Sequence, residues 1–384
     1  MNQPQDFNET DRITAKELAT FGQRKNGTHI KEDGEMFKEV IEQKDAAATK
    51  PFNLRPTTMD DLEEAVELFN HCSIHMMGKK EVTVNDVRVE WLLPDFDLRQ
   101  ATRVAIDQEG RLVGYVEVWD IDELPVDIWV WARVHPEYEG QGIGSALMAW
   151  AKQRTGRALR RVPEGIRVAM RSGTHNGYGP AVELFKGFGM KPVRHFYTMA
   201  IELDEAPPTP QWPEGIEIRR MKGPEEARDV VWAVRDAFQD HWGYVEQPFE
   251  KELEHWLHFM KHDEQFDPGL YFLAVAGEEI AGISLCTRQS REDKEMGWVR
   301  TLGVRRPWRR QGLGLALLHH SFGELYRLGQ ARVGLGVDAS SLTGATRLYE
   351  RAGMRPIRQF DTFELELRPG RDIRTQKVKH QSTE

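Results

Sequence analysis

Hydrophobic residues follow two alternating patterns between residues 216 and 367. Apolar residues at every second position, or in short apolar runs, predict strands, whereas apolar residues spaced three and four apart predict helices. Strands are predicted at 216–220, 270–276, 280–288, 295–304, 331–337 and 358–367, and helices at 227–238, 249–261, 309–328 and 343–353. Strands that alternate with helices in this way predict an α/β (α+β) fold, with a mixed central sheet flanked by helices.

The same order of elements occurs a second time, between residues 52 and 204. Short segments of the two halves match in the same order, from Phe52–Pro56 with Ile216–Arg220 to Leu184–Met190 with Leu348–Met354. Such order indicates a duplicated domain, and 384 residues are enough for two cores. The predicted organisation is a polar N-terminal extension (1–51), a first domain (52–204), a Pro-rich linker (205–215), a second domain (216–368) and a charged tail (369–384).

A basic, glycine-rich loop joins the strand at 295–304 to the helix that follows it. Its sequence, Arg309-Arg310-Gln311-Gly312-Leu313-Gly314, directs unpaired backbone N–H groups and the positive end of a helix dipole at one point. Such a point suits an anion such as a pyrophosphate, and glycine lets the phosphate approach the backbone closely. A purely structural strand-to-helix turn is the alternative. A second copy of the loop, with Gln141, Gly142 and Gly144, lies in the first half.

These residues resemble the GNAT superfamily of acyl-CoA-dependent N-acyltransferases. The family motif, Gln/Arg-x-x-Gly-x-Gly/Ala, matches the loop at Gly312, and a later Leu-Tyr-x-x-x-Gly-Phe/Met motif matches Leu348–Met354. The resemblance covers residues 52–204 and 215–367, and the tandem layout is also similar to that of mycothiol-synthase-type enzymes. It implies two tandem GNAT folds and an N-acetyltransferase that uses acetyl-CoA.

The resemblance also implies roles for individual residues of the second half. The strand backbone at Leu302 and Val304 would pair with the pantetheine amides and polarise the thioester carbonyl. The phenol of Tyr349 would protonate the departing thiolate, although an aromatic core residue is the simpler interpretation of an isolated tyrosine. The residues expected to hold the phosphates are Arg309, Arg310, Gln311, Gly312, Leu313 and Gly314.

The first half departs from the motif at two positions. Glu139 stands where the second half has Arg309, and Phe185, which has no proton to donate, stands where it has Tyr349. We therefore expect a catalytically silent first domain with, at most, a vestigial cofactor site at Gln141, Gly142 and Gly144. The second domain is then the catalytic one.

The acceptor site is predicted between the first two helices of the second half. Asp240, His241, Trp242 and Glu246 form a polar and aromatic segment there that suits a cationic amine or a ring-bearing ligand. Core packing and solvated charges explain the same residues equally well. The sequence assigns no general base, and the groups considered are Asp240, His241, Glu246 and Glu295.

Composition narrows the remaining function classes. Hydrophobic residues make up 40% and charged residues 29%, and the net charge of −9 disfavours nucleic acid as a partner. No apolar run is long enough for a membrane helix, and only two cysteines favour a reducing cytoplasm. His255, His258 and His262 lack the carboxylate or thiol spacing of a metal site.

The predicted function is therefore transfer of an acetyl group from acetyl-CoA to an amine of a small molecule or peptide, by direct attack and without a metal. The alternative is a non-enzymatic acyl-CoA-binding or regulatory tandem module.

Overall fold

The computed structural model describes residues 52–377. The predicted N-terminal extension, residues 1–51, and residues 378–384 of the predicted tail lie outside the described residues.

Both halves contain the elements that the hydrophobic pattern predicts. The first half comprises β1 (Phe52–Arg55), α1 (Leu62–Met77), α2 (Val84–Trp91), a short α3 (Leu98–Ala101), β2 (Thr102–Asp107), β3 (Leu112–Trp119), β4 (Asp127–Val134), α4 (Ile143–Leu159), β5 (Val168–His175), α5 (Gly179–Gly187) and β6 (Lys191–Glu202). The second half comprises β7 (Glu217–Arg220), α6 (Ala227–Phe238), α7 (Phe249–His262), β8 (Tyr271–Ala276), β9 (Glu279–Thr287), β10 (Met296–Val304), α8 (Leu313–Arg327), β11 (Arg332–Asp338), α9 (Ala345–Arg351) and β12 (Arg355–Arg368).

The strands of both halves form one sheet of 12 strands, in the order β1-β2-β3-β4-β5-β12-β6-β11-β10-β9-β8-β7. The mixed α/β prediction is confirmed, because β4 with β5 and β10 with β11 are parallel whereas the other neighbours are antiparallel. The last strand of each half lies beside the fifth strand of the other half: β12 pairs with β5, and β6 pairs with β11. The repeat did not predict this exchange.

Alternate side chains of each strand face opposite sides of the sheet, and each side is covered by helices. In β9, Ile283 and Leu285 belong to the core with α6 and α7, whereas Cys286 packs in the core that contains Phe322 of α8. The first half is arranged in the same way, with α1 and α2 in one core and α4 in the other. Helices α2 and α7 meet where the His258 Nε2 lies 2.8 Å from the Val89 carbonyl oxygen.

The beginning of the predicted charged tail is packed against the protein. Arg374 has only 4% of its side chain exposed and forms ion pairs with Glu364 at 2.8 Å and with Asp372 at 2.6 Å. The backbone of Thr375 exchanges hydrogen bonds with Gly243 N–H and the Tyr244 carbonyl, each 2.9 Å long. The tail therefore holds the segment that joins α6 to α7.

Candidate active site

A wedge-shaped gap opens between β10 and β11. The two strands pair only where Met296–Val299 of β10 lies beside Arg332–Leu335 of β11. Beyond that point, β10 continues to pair with β9 as far as Val304. The Arg305 N–H donates to the Ala281 carbonyl at 3.0 Å. Because hydrogen-bonding direction alternates along an antiparallel strand, the peptide groups of Leu302 and Val304 face the gap instead. An extended ligand in the gap would meet the peptide groups of Leu302 and the Val304 N–H, whereas the Val304 carbonyl accepts from Arg309 Nε at 2.9 Å.

A β-bulge interrupts β10 just before this gap. The register with β9 shifts between Val299 and Thr301, so that Arg300 is an extra residue in the strand. A bulge places two successive side chains on the same side of a sheet, here Arg300 and Thr301. The corresponding β3–β4 ladder of the first half runs without a shift. The bulge therefore distinguishes the second half from the first.

The glycine loop ends the gap at the start of α8. Gly312 is the N-cap residue, and its φ of 88° lies in the left-handed region that favours glycine. Gly314 lies against α9, because a Cβ at this position would approach Leu348 Cδ2 to 3.1 Å. The Arg310 side chain is exposed, and it has no hydrogen bond or ion pair with any residue in 52–377. Arg310 and the first N–H groups of α8 are thus available to an anion.

Arg309, by contrast, is not free to bind an anion. Its guanidinium turns inward, with Nη1 2.6 Å from Asp240 Oδ2, and it donates to the Val304 and Ala237 carbonyls at 2.9 and 3.0 Å. Arg306 also donates to Asp240, from Nε at 2.8 Å. The sequence-based role of Arg309 as a phosphate ligand therefore needs correction, because this side chain fastens the loop to α6.

Asp240 is fully buried beneath the loop, with 0% exposure. Hydrogen bonds from Arg306 and Arg309 hold the pKa of its carboxyl at about 2. A carboxylate that is buried and doubly paired is not accessible to an amine acceptor. Asp240 therefore supports the glycine loop and is not part of the acceptor site.

The other three predicted acceptor residues have contacts of their own within the protein, and none of them lines either of two cavities, one beside α7 and one beside α3. The His241 ring packs on Phe238, with centroids 4.2 Å apart, and burial lowers its pKa. Trp242 lies under the guanidinium of Arg171, 4.2 Å from the ring centroid, and its Nε1 donates to Gln376 at 3.0 Å. Glu246 is exposed and pairs with Arg235 at 3.0 Å.

A cavity of about 420 Å³ lies instead between α7 and the sheet, beside the bulge of β10. It combines aromatic walls with acidic and basic side chains. Its lining residues are Glu252, His255, Trp256, Phe259, Met260, Asp263, Phe266, Tyr271, Leu285, Arg300 and Thr301. This site was not predicted from the sequence. One helix face does show the i, i+3, i+4, i+7 spacing, at Glu252, His255, Trp256 and Phe259.

Tyr349 lies on α9, in the core cluster that also contains Leu335 and Val337 of β11. It is 7% exposed, and burial raises the pKa of its phenol to about 12. The phenol is therefore protonated at every pH at which the protein would act. Phe185 occupies the equivalent place in the first half, where its ring centroid is 5.2 Å from that of Phe363.

The first half has an equivalent gap, and two of its side chains are hydrogen-bonded to each other there. β4 and β5 pair only from Asp127–Trp129, and Gly142 has a φ of 84°, so the turn is retained. However, the Tyr178 hydroxyl donates to the Glu139 carboxylate across the mouth of the gap. Glu139 and Tyr178 join the loop before α4 to the start of α5, and we refer to them as the first-half latch.

Residues 52–377 contain no group of three or more His, Cys, Asp or Glu side chains arranged to hold a metal ion. No helix in this range combines the length and apolar character needed to cross a bilayer.

Comparison with known proteins gives two family matches, one in each half. Residues 231–354 match the acetyltransferase (GNAT) family, and residues 100–189 match an acetyltransferase (GNAT) domain. A mycothiol acetyltransferase from Streptomyces scabiei is 31% identical over 261 residues, which are 67% of this chain and 75% of that protein.

Solved structures resemble the whole tandem arrangement. A GCN5-related N-acetyltransferase from Sphaerobacter thermophilus is 32% identical, with a TM-score of 0.67, and the match covers 84% of this chain and 98% of that one. A tandem GNAT protein from the clavulanic acid biosynthesis pathway shares the fold at 15% identity, with a TM-score of 0.62 and coverage of 84% and 100%.

Proposed function

Because the chain belongs to the GNAT family of acetyltransferases, we propose that its second half transfers an acetyl group from acetyl-CoA to the amine of a small molecule. The gap between β10 and β11 carries this proposal. The peptide groups of Leu302 and the Val304 N–H face it, it ends at a glycine turn with an unpaired arginine, and α9 with Tyr349 lies beside it.

The second half offers suitable groups for each part of acetyl-CoA. The N–H groups of Leu313 and Gly314, at the start of α8, suit the pyrophosphate, and Arg310 adds a free positive charge. The peptide groups of Leu302 and the Val304 N–H suit the pantetheine amides and the thioester carbonyl. Gln311, whose Nε2 donates to the Pro307 carbonyl at 3.0 Å, stabilises the loop.

The reaction then needs no covalent enzyme intermediate. The neutral amine attacks the thioester carbon, a C–N bond forms, and the negative charge on the carbonyl oxygen is stabilised by the N–H of Leu302. Collapse breaks the C–S bond, and Tyr349 protonates the CoA thiolate. Tyr349 recovers a proton from the nitrogen of the new amide, so the phenol is unchanged after each turnover.

The first half is proposed to be catalytically silent. Its equivalent of Tyr349 is Phe185, and the first-half latch crosses the gap that acyl-CoA would need to enter. Gln141, Gly142 and Gly144 then keep the shape of the turn but take no part in acetyl transfer.

The acceptor is proposed to enter through the cavity between α7 and the sheet. Its carboxylates suit a cationic amine, and its volume suits a small molecule better than a folded protein surface. Since several relatives are mycothiol acetyltransferases, the amine that those enzymes acetylate is one acceptor to test.

A thiol-release screen tests the proposal. The full chain is incubated with acetyl-CoA and a panel of aminoglycosides, polyamines, amino acids, amino sugars, peptides and the acceptor of mycothiol acetyltransferases. We expect release of free CoA with at least one amine, and loss of that release in Gly312→Val, because a β-branched residue disfavours the left-handed turn. Acetyl-CoA binding in calorimetry without release by any amine would favour the non-enzymatic module instead.

A further inference from the structure

The cavity beside β10 contains a carboxylate that the proposed reaction does not yet use. Glu252 lines this cavity together with Thr301, whose peptide bond to Leu302 carries the N–H group assigned to the thioester carbonyl. The cavity that contains the carboxylate therefore extends to the residue that precedes Leu302 in β10. The bulge at Arg300 produces this arrangement, because it turns Thr301 towards α7.

The other carboxylates near the reaction are already engaged. Asp263 accepts from Arg300 Nη1 at 2.8 Å and from the Gln265 N–H at 2.8 Å. Asp240 is buried between two arginines, and Glu295 is exposed beyond the opposite end of β10. Within residues 52–377, the one ion pair of Glu252 is with Arg235, at 3.8 Å.

We propose that Glu252 is the general base that removes a proton from the acceptor ammonium. This assignment rests on the proposed function and adds a catalytic residue to it. The ammonium gives one proton to the Glu252 carboxylate, which later releases it to solvent. The resulting neutral amine attacks the thioester, and the second proton leaves with CoA as its thiol, so one acetyl-CoA and one ammonium yield one amide, one thiol and one proton.

The surroundings of Glu252 suit this task. Burial raises the pKa of Glu252 above the usual glutamate range. The positive charge of Arg235 lowers this pKa, and the negative charge of Asp122, in the first half, raises it further. A base with a raised pKa holds a proton more strongly. The other titratable or charged groups that face the cavity or the carboxylate are His255, Asp263, Tyr271, Arg300 and Tyr244.

His255 is the main competitor for this role. It lies one turn from Glu252 on α7 and lines the same cavity, and its Nε2 is 3.8 Å from Asp95 of the first half. The carboxylate is favoured because it carries the negative charge that attracts an ammonium, whereas a neutral imidazole does not.

The test compares Glu252→Gln with wild type, using acetyl-CoA and the panel amine that gives the fastest thiol release. At neutral pH we expect kcat to fall about 100-fold or more, with an unchanged Kd for acetyl-CoA. The deficit should shrink steadily from about pH 6 to about pH 10, because solvent then supplies the neutral amine that the base no longer generates. Glu252→Asp, which retains a carboxylate, should recover part of the activity.

Glu254→Gln is the matched control, since Glu254 is exposed on the same helix, and it should retain the wild-type rate. A deficit of Glu252→Gln that stays the same at every pH would overturn the proposal, as would this pH signature appearing in His255→Asn and not in Glu252→Gln. Absence of release by wild type with every amine is a different result, because it contradicts the proposed function itself.

Discussion

Arg310 has a backbone conformation that arginine seldom adopts. Its φ is 62°, in the left-handed region, and the equivalent residue of the first half is Gly140, with a φ of 74°. A residue with a Cβ pays roughly 1–2 kcal/mol for this conformation. The second half thus keeps a strained arginine at the mouth of its gap, where the first half has an unstrained glycine, as is typical of functional positions.

Replacing Arg310 with glycine should therefore increase the stability of the protein but weaken its binding of acetyl-CoA. We expect Arg310→Gly to raise the free energy of unfolding by about 0.5–1 kcal/mol, since glycine relieves the strain but gains freedom in the unfolded chain. Affinity for acetyl-CoA should fall about tenfold, because one charged contact with phosphate is lost. Denaturant unfolding and calorimetry measure the two effects. Gly140→Ala is the control: it should destabilise the protein and leave acetyl-CoA affinity unchanged.

Tyr349 is the second residue whose substitution has a specific expected outcome. Tyr349→Phe should lower kcat about 100-fold to 10,000-fold, because the thiolate then leaves without a proton, while the Kd for acetyl-CoA stays nearly constant. Since burial raises the pKa of this phenol to about 12, its ionisation should not reduce the wild-type rate near pH 10. Tyr326→Phe on α8 provides the control. Wild-type turnover in Tyr349→Phe would remove the phenol from the mechanism.

At the scale of elements, the glycine loop depends on ion pairs with Asp240, a buried residue just after the end of α6. Asp240 is fully buried and receives hydrogen bonds from Arg306 and Arg309, which precede the turn at Gly312. We expect Asp240→Asn to lower the free energy of unfolding by about 2–3 kcal/mol and to weaken acetyl-CoA binding, because the loop loses its anchor.

The pH dependence of stability offers an independent check on this ion pair. The pKa of Asp240 is about 2 in the folded protein, below its unfolded value of about 4. The stabilisation is therefore complete above about pH 4 and disappears as the pH falls towards 2. Urea unfolding of Asp240→Asn should show a shallower loss of stability across this range, and identical acid profiles would contradict the assigned role.

Local sequence patterns predicted the elements well and the direction of side chains poorly. The hydrophobic periodicity of α6 and α7 depends on neighbours a few residues away, and both helices lie where it predicted them. By contrast, the inward turn of Arg309 depends on Asp240, which is distant in sequence. The bulge at Arg300 leaves no local signature either, so the cavity beside it was missed although its helix face was visible in the sequence.

At the scale of the whole molecule, the two halves share a sheet that neither completes alone. β12 lies between β5 and β6, so both neighbours of the last strand of the second half come from the first half. Similarly, β11 lies between β10 of its own half and β6 of the first half. A half produced alone would expose long unpaired strand edges, which favour aggregation. The repeat in the sequence indicated two domains but carried no information on which strands would pair across them.

Cutting the chain in the segment between β6 and β7 should therefore give two fragments that depend on each other. Produced separately, residues 1–208 and 209–384 should aggregate or show little cooperative unfolding in circular dichroism. Each fragment would lack the neighbouring strands that the other half supplies. Produced together, they should co-purify at one-to-one stoichiometry and release thiol from acetyl-CoA at close to the rate of the uncut chain. A monomeric, cooperatively folded and active fragment 209–384 would show that the exchanged strands are dispensable for the second half.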